Sequence, residues 1–116
     1  MAYLNRIAAV PLESADSADL GSGYVAINPD GLPRGCCIIS IINNSGVDVT
    51  VSYDGSTAHD YVPTMTVRTL NFQTNASPTS NQAFLPKGTI VWVSATESST
   101  GLIYLSAYYQ PTDSIY

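Results

Sequence analysis

From residue 35 onward, polar and apolar positions alternate in short bursts, with no sustained helical period. Val47, Val49, Val51 and Tyr53 fall on one face of an extended segment and Asp48, Thr50, Ser52 and Asp54 on the other. That alternation predicts a half-buried strand over Val47 to Asp54. Cys36 to Asn43 is almost continuously apolar, with Ile38, Ile39, Ile41 and Ile42, the pattern of a central strand covered on both faces. Asn44-Ser45-Gly46 makes the turn between them, and Asp54-Gly55 supplies the positive φ that a tight reversal needs. A short strand is expected around Asp60 to Val62, ended by Pro63, which has no N–H to give to a ladder. Val67 to Phe72 resumes it.

Gln73 to Gln82 is Thr-, Asn-, Ser- and Pro-rich and reads as an exposed loop. Thr89 to Ala95 is a further strand that carries Trp92 between Val91 and Val93, a spacing that favours a core tryptophan. The last strand, Leu102 to Tyr109, can pack on both faces, as suits a strand that meets a second protein. Turn residues recurring at intervals of about 8 to 12 residues make the expected fold all-β, a single antiparallel β-sandwich of jelly-roll or Ig-like type, occupying residues 36–110.

Residues 1–35 are broken by Pro11, Gly21, Gly23, Pro29, Gly31, Pro33 and Gly35 into pieces too short for a core, with Leu12 to Leu20 able to form only a brief helix. Tyr3 to Val10 reads as an extended arm, and residues 111–116 as a second, shorter one. Ordering each residue costs roughly 1 to 2 kcal/mol, so such arms are expected to gain their order from neighbouring subunits.

Composition narrows the partners. Only 11% of the 116 residues are charged and the net charge is −5, the wrong sign for a nucleic-acid backbone. No apolar run approaches the ~18 residues that a membrane span needs, and the basic end and apolar stretch of a secretory signal are missing from the start. Cys36 and Cys37 are adjacent, so in a strand they would face opposite ways. They are expected to be reduced thiols from cytoplasmic synthesis, with the outward one free to bridge subunits after lysis. Asn43-Asn44-Ser45 and Asn75-Ala76-Ser77 match the glycosylation pattern but read as turns.

Candidate chemistry is thin. A nucleophile triad would need His59, the sole histidine, which sits beside Asp60 in a polar stretch. Lys87, the sole lysine, lies at a turn where an exposed ammonium keeps its proton. Asp48 and Asp54 share a face of one strand but stand about 20 Å apart, too far to act on one bond. Neither Asp54-Gly55-Ser56 nor Asn28-Pro29-Asp30-Gly31 offers a calcium-ligand series. No enzyme activity, cofactor or metal is expected. Eight tyrosines with so few charges suit a contact surface instead. Tyr3, Leu4, Ile7, Tyr108, Tyr109 and Tyr116 are the interface candidates, since they lie in the two arms and at the end of the last strand.

Four motifs carry a resemblance: Ile41-Ile42-Asn43-Asn44-Ser45, Val51-Ser52-Tyr53-Asp54-Gly55, Phe84-Leu85-Pro86-Lys87-Gly88-Thr89, and GLIYLSAYY from Gly101 to Tyr109. The stretch from Ile41 to Tyr109 resembles small structural proteins of tailed bacteriophages. The resemblance implies a virion component of the capsid decoration or cement type, a homotrimer that is made in the host cytoplasm and ties neighbouring copies of the phage major capsid protein together. A head-to-tail adaptor, collar, tail or fibre-base component is the alternative within that class. A carbohydrate-binding module, with Trp92 and the tyrosines as stacking platforms, is the alternative outside it.

Overall fold

A computed structural model describes residues 8–71, 85–97 and 99–109. Nine strands run through them: β1 (Ala8–Ala9), β2 (Glu13–Asp16), β3 (Val25–Ala26), β4 (Ile38–Ser45), β5 (Val49–Ser52), β6 (Asp60–Val62), β7 (Thr66–Asn71), β8 (Trp92–Ser94) and β9 (Gly101–Tyr109). A 3-10 helix, Ser17–Ser22, joins β2 to β3, and the Asp16 carboxylate caps it by accepting from the Ala18 N–H at 2.9 Å.

The strands form two antiparallel sheets. The first has the order β1/β2, β9, β4, β7, and the second the order β3, β8, β5, β6. β1 and β2 are two pieces of one edge strand. Ala9 pairs with Tyr108 and Glu13 with Leu105, so three residues oppose two and the strand bulges. Pro11 lies in that bulge, where its missing N–H breaks no ladder bond. With β1/β2 counted once, the chain crosses between the sheets at every connection except β5 to β6, which is the winding of a jelly roll. The protein is an all-β sandwich of two packed antiparallel sheets.

Alternation decides what each strand buries. Ile39 and Ile41 of β4, Val49 and Val51 of β5, Val62 of β6, Val93 of β8, and Ile103, Leu105 and Ala107 of β9 point between the sheets and are almost inaccessible. Burying each Val, Ile or Leu contributes about 1.5–3 kcal/mol. β4 takes the central place expected for it, between β9 and β7. It is fully buried on one face only, because Ile38, Ser40 and Ile42 turn outward and are half-buried.

The sandwich also begins well before residue 36. Ala15, Leu20, Ile27 and Leu32 belong to the same core, and Ser14, Ala15 and Asp16, expected within a helix, pair with β9 instead. A backbone otherwise left unpaired along β9 outweighs a weak helical tendency over so few residues. The Ser17 hydroxyl then closes the corner by reaching the Ser99 and Gly101 carbonyls.

Both cysteines are buried, contrary to the expectation of one on each face. β4 starts only at Ile38. Before it, Cys36 pairs alone with Leu85 and the Cys37 N–H bonds to the Tyr108 carbonyl, so strand alternation does not extend to these residues. Burial raises the pKa of each thiol, which keeps both protonated and removes the expected outward-facing partner for an inter-subunit bridge.

Candidate functional site

The outward side chains of the first sheet form rows set by the pairing register. One row runs Ser14, Tyr104, Ile42, Val67, and the next runs Ser106, Ser40, Thr69. A third runs Ala9, Tyr108, Ile38, Asn71, and a fourth is Asp16, Leu102, Asn44. Ser40 and Thr69 lock the second row across β4 and β7 through a 3.0 Å hydroxyl–hydroxyl bond. Asp16, at a corner, is the only ionisable acid or base among these outward residues. Alternation produces this face directly: each buried Ile or Leu of β4 and β9 leaves an outward neighbour, and here those neighbours are Ile, Leu, Tyr, Ser and Thr. A flat surface with Tyr present and Lys and Glu missing has the composition of a protein–protein contact.

Tyr108, one of the expected contact residues, sits on this face and is 38% exposed. Tyr109 does not. Its ring turns toward the other sheet, packs against the core, and lies under the Arg34 guanidinium, 5.0 Å from the ring centre. Tyr3, Leu4, Ile7 and Tyr116 lie outside the described residues. Ala8 pairs with Tyr109, so the first and last described residues meet at one corner of the first sheet, the corner that carries Tyr108.

The second sheet has a different outer face. Trp92, expected in the core, is outward and half-buried because it follows the inward Val91 and precedes the inward Val93. The Asp54-Gly55 turn folds over its ring. A Cβ built on Gly55 would stand 3.1 Å from Trp92 Cε2, so the turn packs closely only because it has glycine there. That covers one face of the indole against stacking by a ligand.

Around this turn the polar groups are occupied by one another. Asp54 accepts from the Ser56 and Thr57 amides at 2.8 Å each and from the Ser52 hydroxyl at 2.8 Å. These bonds, the Ser56 amide first, hold its carboxyl well below the usual carboxylate range. His59 Nδ1 accepts from the Tyr53 N–H at 3.0 Å while its ring stacks on Tyr53. Tyr53 in turn donates to Asp60 at 2.9 Å, and burial together with that carboxylate pushes the phenol up. Asp48 accepts from Tyr61 at 2.7 Å and from the Thr64 amide at 2.8 Å, which lowers its carboxyl. The Ser52 hydroxyl and His59 Nδ1 thus each serve the turn.

Among the described residues no three His, Cys, Asp or Glu side chains gather closely enough to hold a metal ion, and no helix is long and apolar enough to cross a membrane. No family model, curated protein or solved structure matches the chain.

Proposed function

We propose that this protein is a structural component of a tailed-phage virion, of the capsid decoration type, and that it docks through the outer face of its first sheet. The observation that carries the reading is the division of charge between the two faces. The first sheet presents Ile38, Ile42, Val67, Leu102, Tyr104 and Tyr108 with one acid at a corner, while Asp48 and Asp54 lie on the side of the second sheet. In a chain of net charge −5, the described first-sheet face, with Asp16 alone at a corner, is a broad surface that can lose water while stranding little charge. Ala8 and Tyr109, the first and last described residues, adjoin that surface, which suits arms that reach onto neighbouring capsid subunits.

The mechanism is mass action on assembly. Each contact of ~1,500 Å² adds stability only while both partners are folded, and repetition over the shell opposes the outward pressure of packaged DNA. The resemblance of four motifs to those of phage structural proteins is what suggests the partner; the face supports the mode of binding. Quantifying the protein per purified particle tests the reading. Decoration of the shell predicts on the order of hundreds of copies, whereas about a dozen or fewer would move the chain to an adaptor, collar or tail position.

A further inference from the structure

The chain has one histidine and one tryptophan, and the turn after β5 brings them to the same end of the second sheet. Backbone pairing across the base of that turn ends with the His59 N–H, which donates to the Val51 carbonyl at 2.7 Å. Two residues further out a side chain takes over from the ladder. His59 Nδ1 accepts from the Tyr53 N–H at 3.0 Å while its ring stacks on the Tyr53 phenol, 5.5 Å between centres. That bond ties together the two ends of a loop whose middle, Gly55, lies against the Trp92 indole.

An imidazole that accepts at Nδ1 is neutral and carries its proton on Nε2. Here Nε2 stands 3.9 Å from Asp54 Oδ2, and the bonds that Asp54 takes from Ser52, Ser56 and Thr57 all fall on Oδ1. The other charged groups about the stacked pair are engaged with one another. Asp60 of β6 accepts from the Tyr53 hydroxyl on Oδ2, and its Oδ1 lies 3.3 Å from the guanidinium of Arg68 on β7. A second proton on the ring therefore sets two contacts in opposition. It removes the lone pair that holds the Tyr53 amide, and it adds a charge that the Asp54 carboxylate attracts. The Tyr53 amide bond is exposed, so water takes the place of Nδ1 and its release costs little.

We propose that His59 is a proton-operated latch on the turn that covers Trp92. With the ring neutral, Nδ1 clamps the turn down on the indole. With the ring charged, Nδ1–H turns away from the Tyr53 amide, Nε2–H closes on Asp54 Oδ2, and the turn shifts off the indole as a unit. The turn survives that shift because its inner bonds do not involve the imidazole: Asp54 still accepts from the Ser56 and Thr57 amides, and the Gly55 N–H still donates to the Ser52 hydroxyl at 2.9 Å. The same amides hold the Asp54 carboxyl low, so it stays ionised while histidine titrates. The outcome is an indole face covered at neutral pH and opened in mild acid, on the second sheet and away from the proposed docking face.

The emission of Trp92 in the full chain, followed from about pH 8 to about pH 5, reads the latch, because no other tryptophan contributes. The expected result is a one-proton shift to longer wavelength as pH falls. It is absent from His59→Asn, which keeps an acceptor near the place of Nδ1 and takes up no proton. Nuclear magnetic resonance on the unmodified protein gives a second readout that does not depend on the variant folding. The neutral ring carries its proton on Nε2, and the Tyr53 and Gly55 amide resonances move at the midpoint at which the ring is protonated. A Trp92 spectrum that does not change with pH, a shift that persists in His59→Asn, or a neutral ring protonated on Nδ1 would each overturn the proposal. So would a Tyr53 amide that follows the ring while Trp92 does not, since the latch would then move nothing.

Discussion

Asn43 shows how much one buried polar side chain can organise. It is 1% exposed, and its amide nitrogen donates to the Val47 carbonyl at 2.8 Å and the Val62 carbonyl at 3.0 Å, while Ser45 donates to its oxygen. It thereby ties β4 of the first sheet to β6 of the second. Asn43→Leu would take the amide donor from the buried Val62 carbonyl, leave the Val47 carbonyl with the Ser45 hydroxyl, and strip that hydroxyl of the Asn43 acceptor, at a cost of about 1–3 kcal/mol, read as a lower denaturant midpoint with the slope unchanged. A midpoint within error of wild type would mean that water replaces the amide. At the exposed Asp54 the lever is pH. Its folded-state pKa is depressed, so its contribution is complete above the ordinary Asp value of about 3.9 and is lost as pH falls through the lower folded value. Asp54→Asn is expected to melt lower at pH 7 and to lose less between pH 5 and pH 2 than wild type. Parallel losses would remove Asp54 from the acid limb.

Strands with a local signal are legible in the sequence. β5 lies within the alternating segment at Val47 to Asp54, β6 matches Asp60 to Val62 with Pro63 after it, and β9 extends the expected Leu102 start by one residue. What the sequence hides is set by partners far along the chain. Nothing near Ser14 or Ala15 announces β9 as their neighbour, and Trp92 reads as core until the Gly55 turn is seen to cover it. Likewise, an exposed position for Tyr108 is foreseeable from its place at the end of the last strand, but the low-charge face around it is not. Ile42, Val67 and Tyr104 become one row only through the β9-β4-β7 order. β9 also depends on its first residue. Gly101 has φ 118°, and a Cβ there would meet the Asn44 carbonyl oxygen at 2.3 Å, whereas at Gly88, φ 89°, it would meet nothing within 4 Å. Gly101→Ala should therefore cost at least ~2 kcal/mol and Gly88→Ala about 1, compared by thermal unfolding. Equal losses would show that strain alone, without the clash, sets the penalty.

For the whole molecule, jelly-roll winding leaves two broad outer faces, and these differ in chemistry. The face of the second sheet bears the Asp54 turn and Asp48. The described face of the first carries one acid, Asp16, at a corner, and Ala8 and Tyr109 meet at another. Under the proposed docking mode, an acidic, charge-poor chain carries more of its acids on the second-sheet side and fewer on the face assigned to the partner. For the virion role proposed above, an image reconstruction of phage particles containing the protein, detailed enough to distinguish the two sheets, is the most direct test. The account predicts the Ile42 and Tyr104 face of the first sheet against the major capsid protein and the Asp54 turn toward solvent. Density with the second sheet on the shell, or with the Ile42 and Tyr104 face bare to solvent, would contradict it.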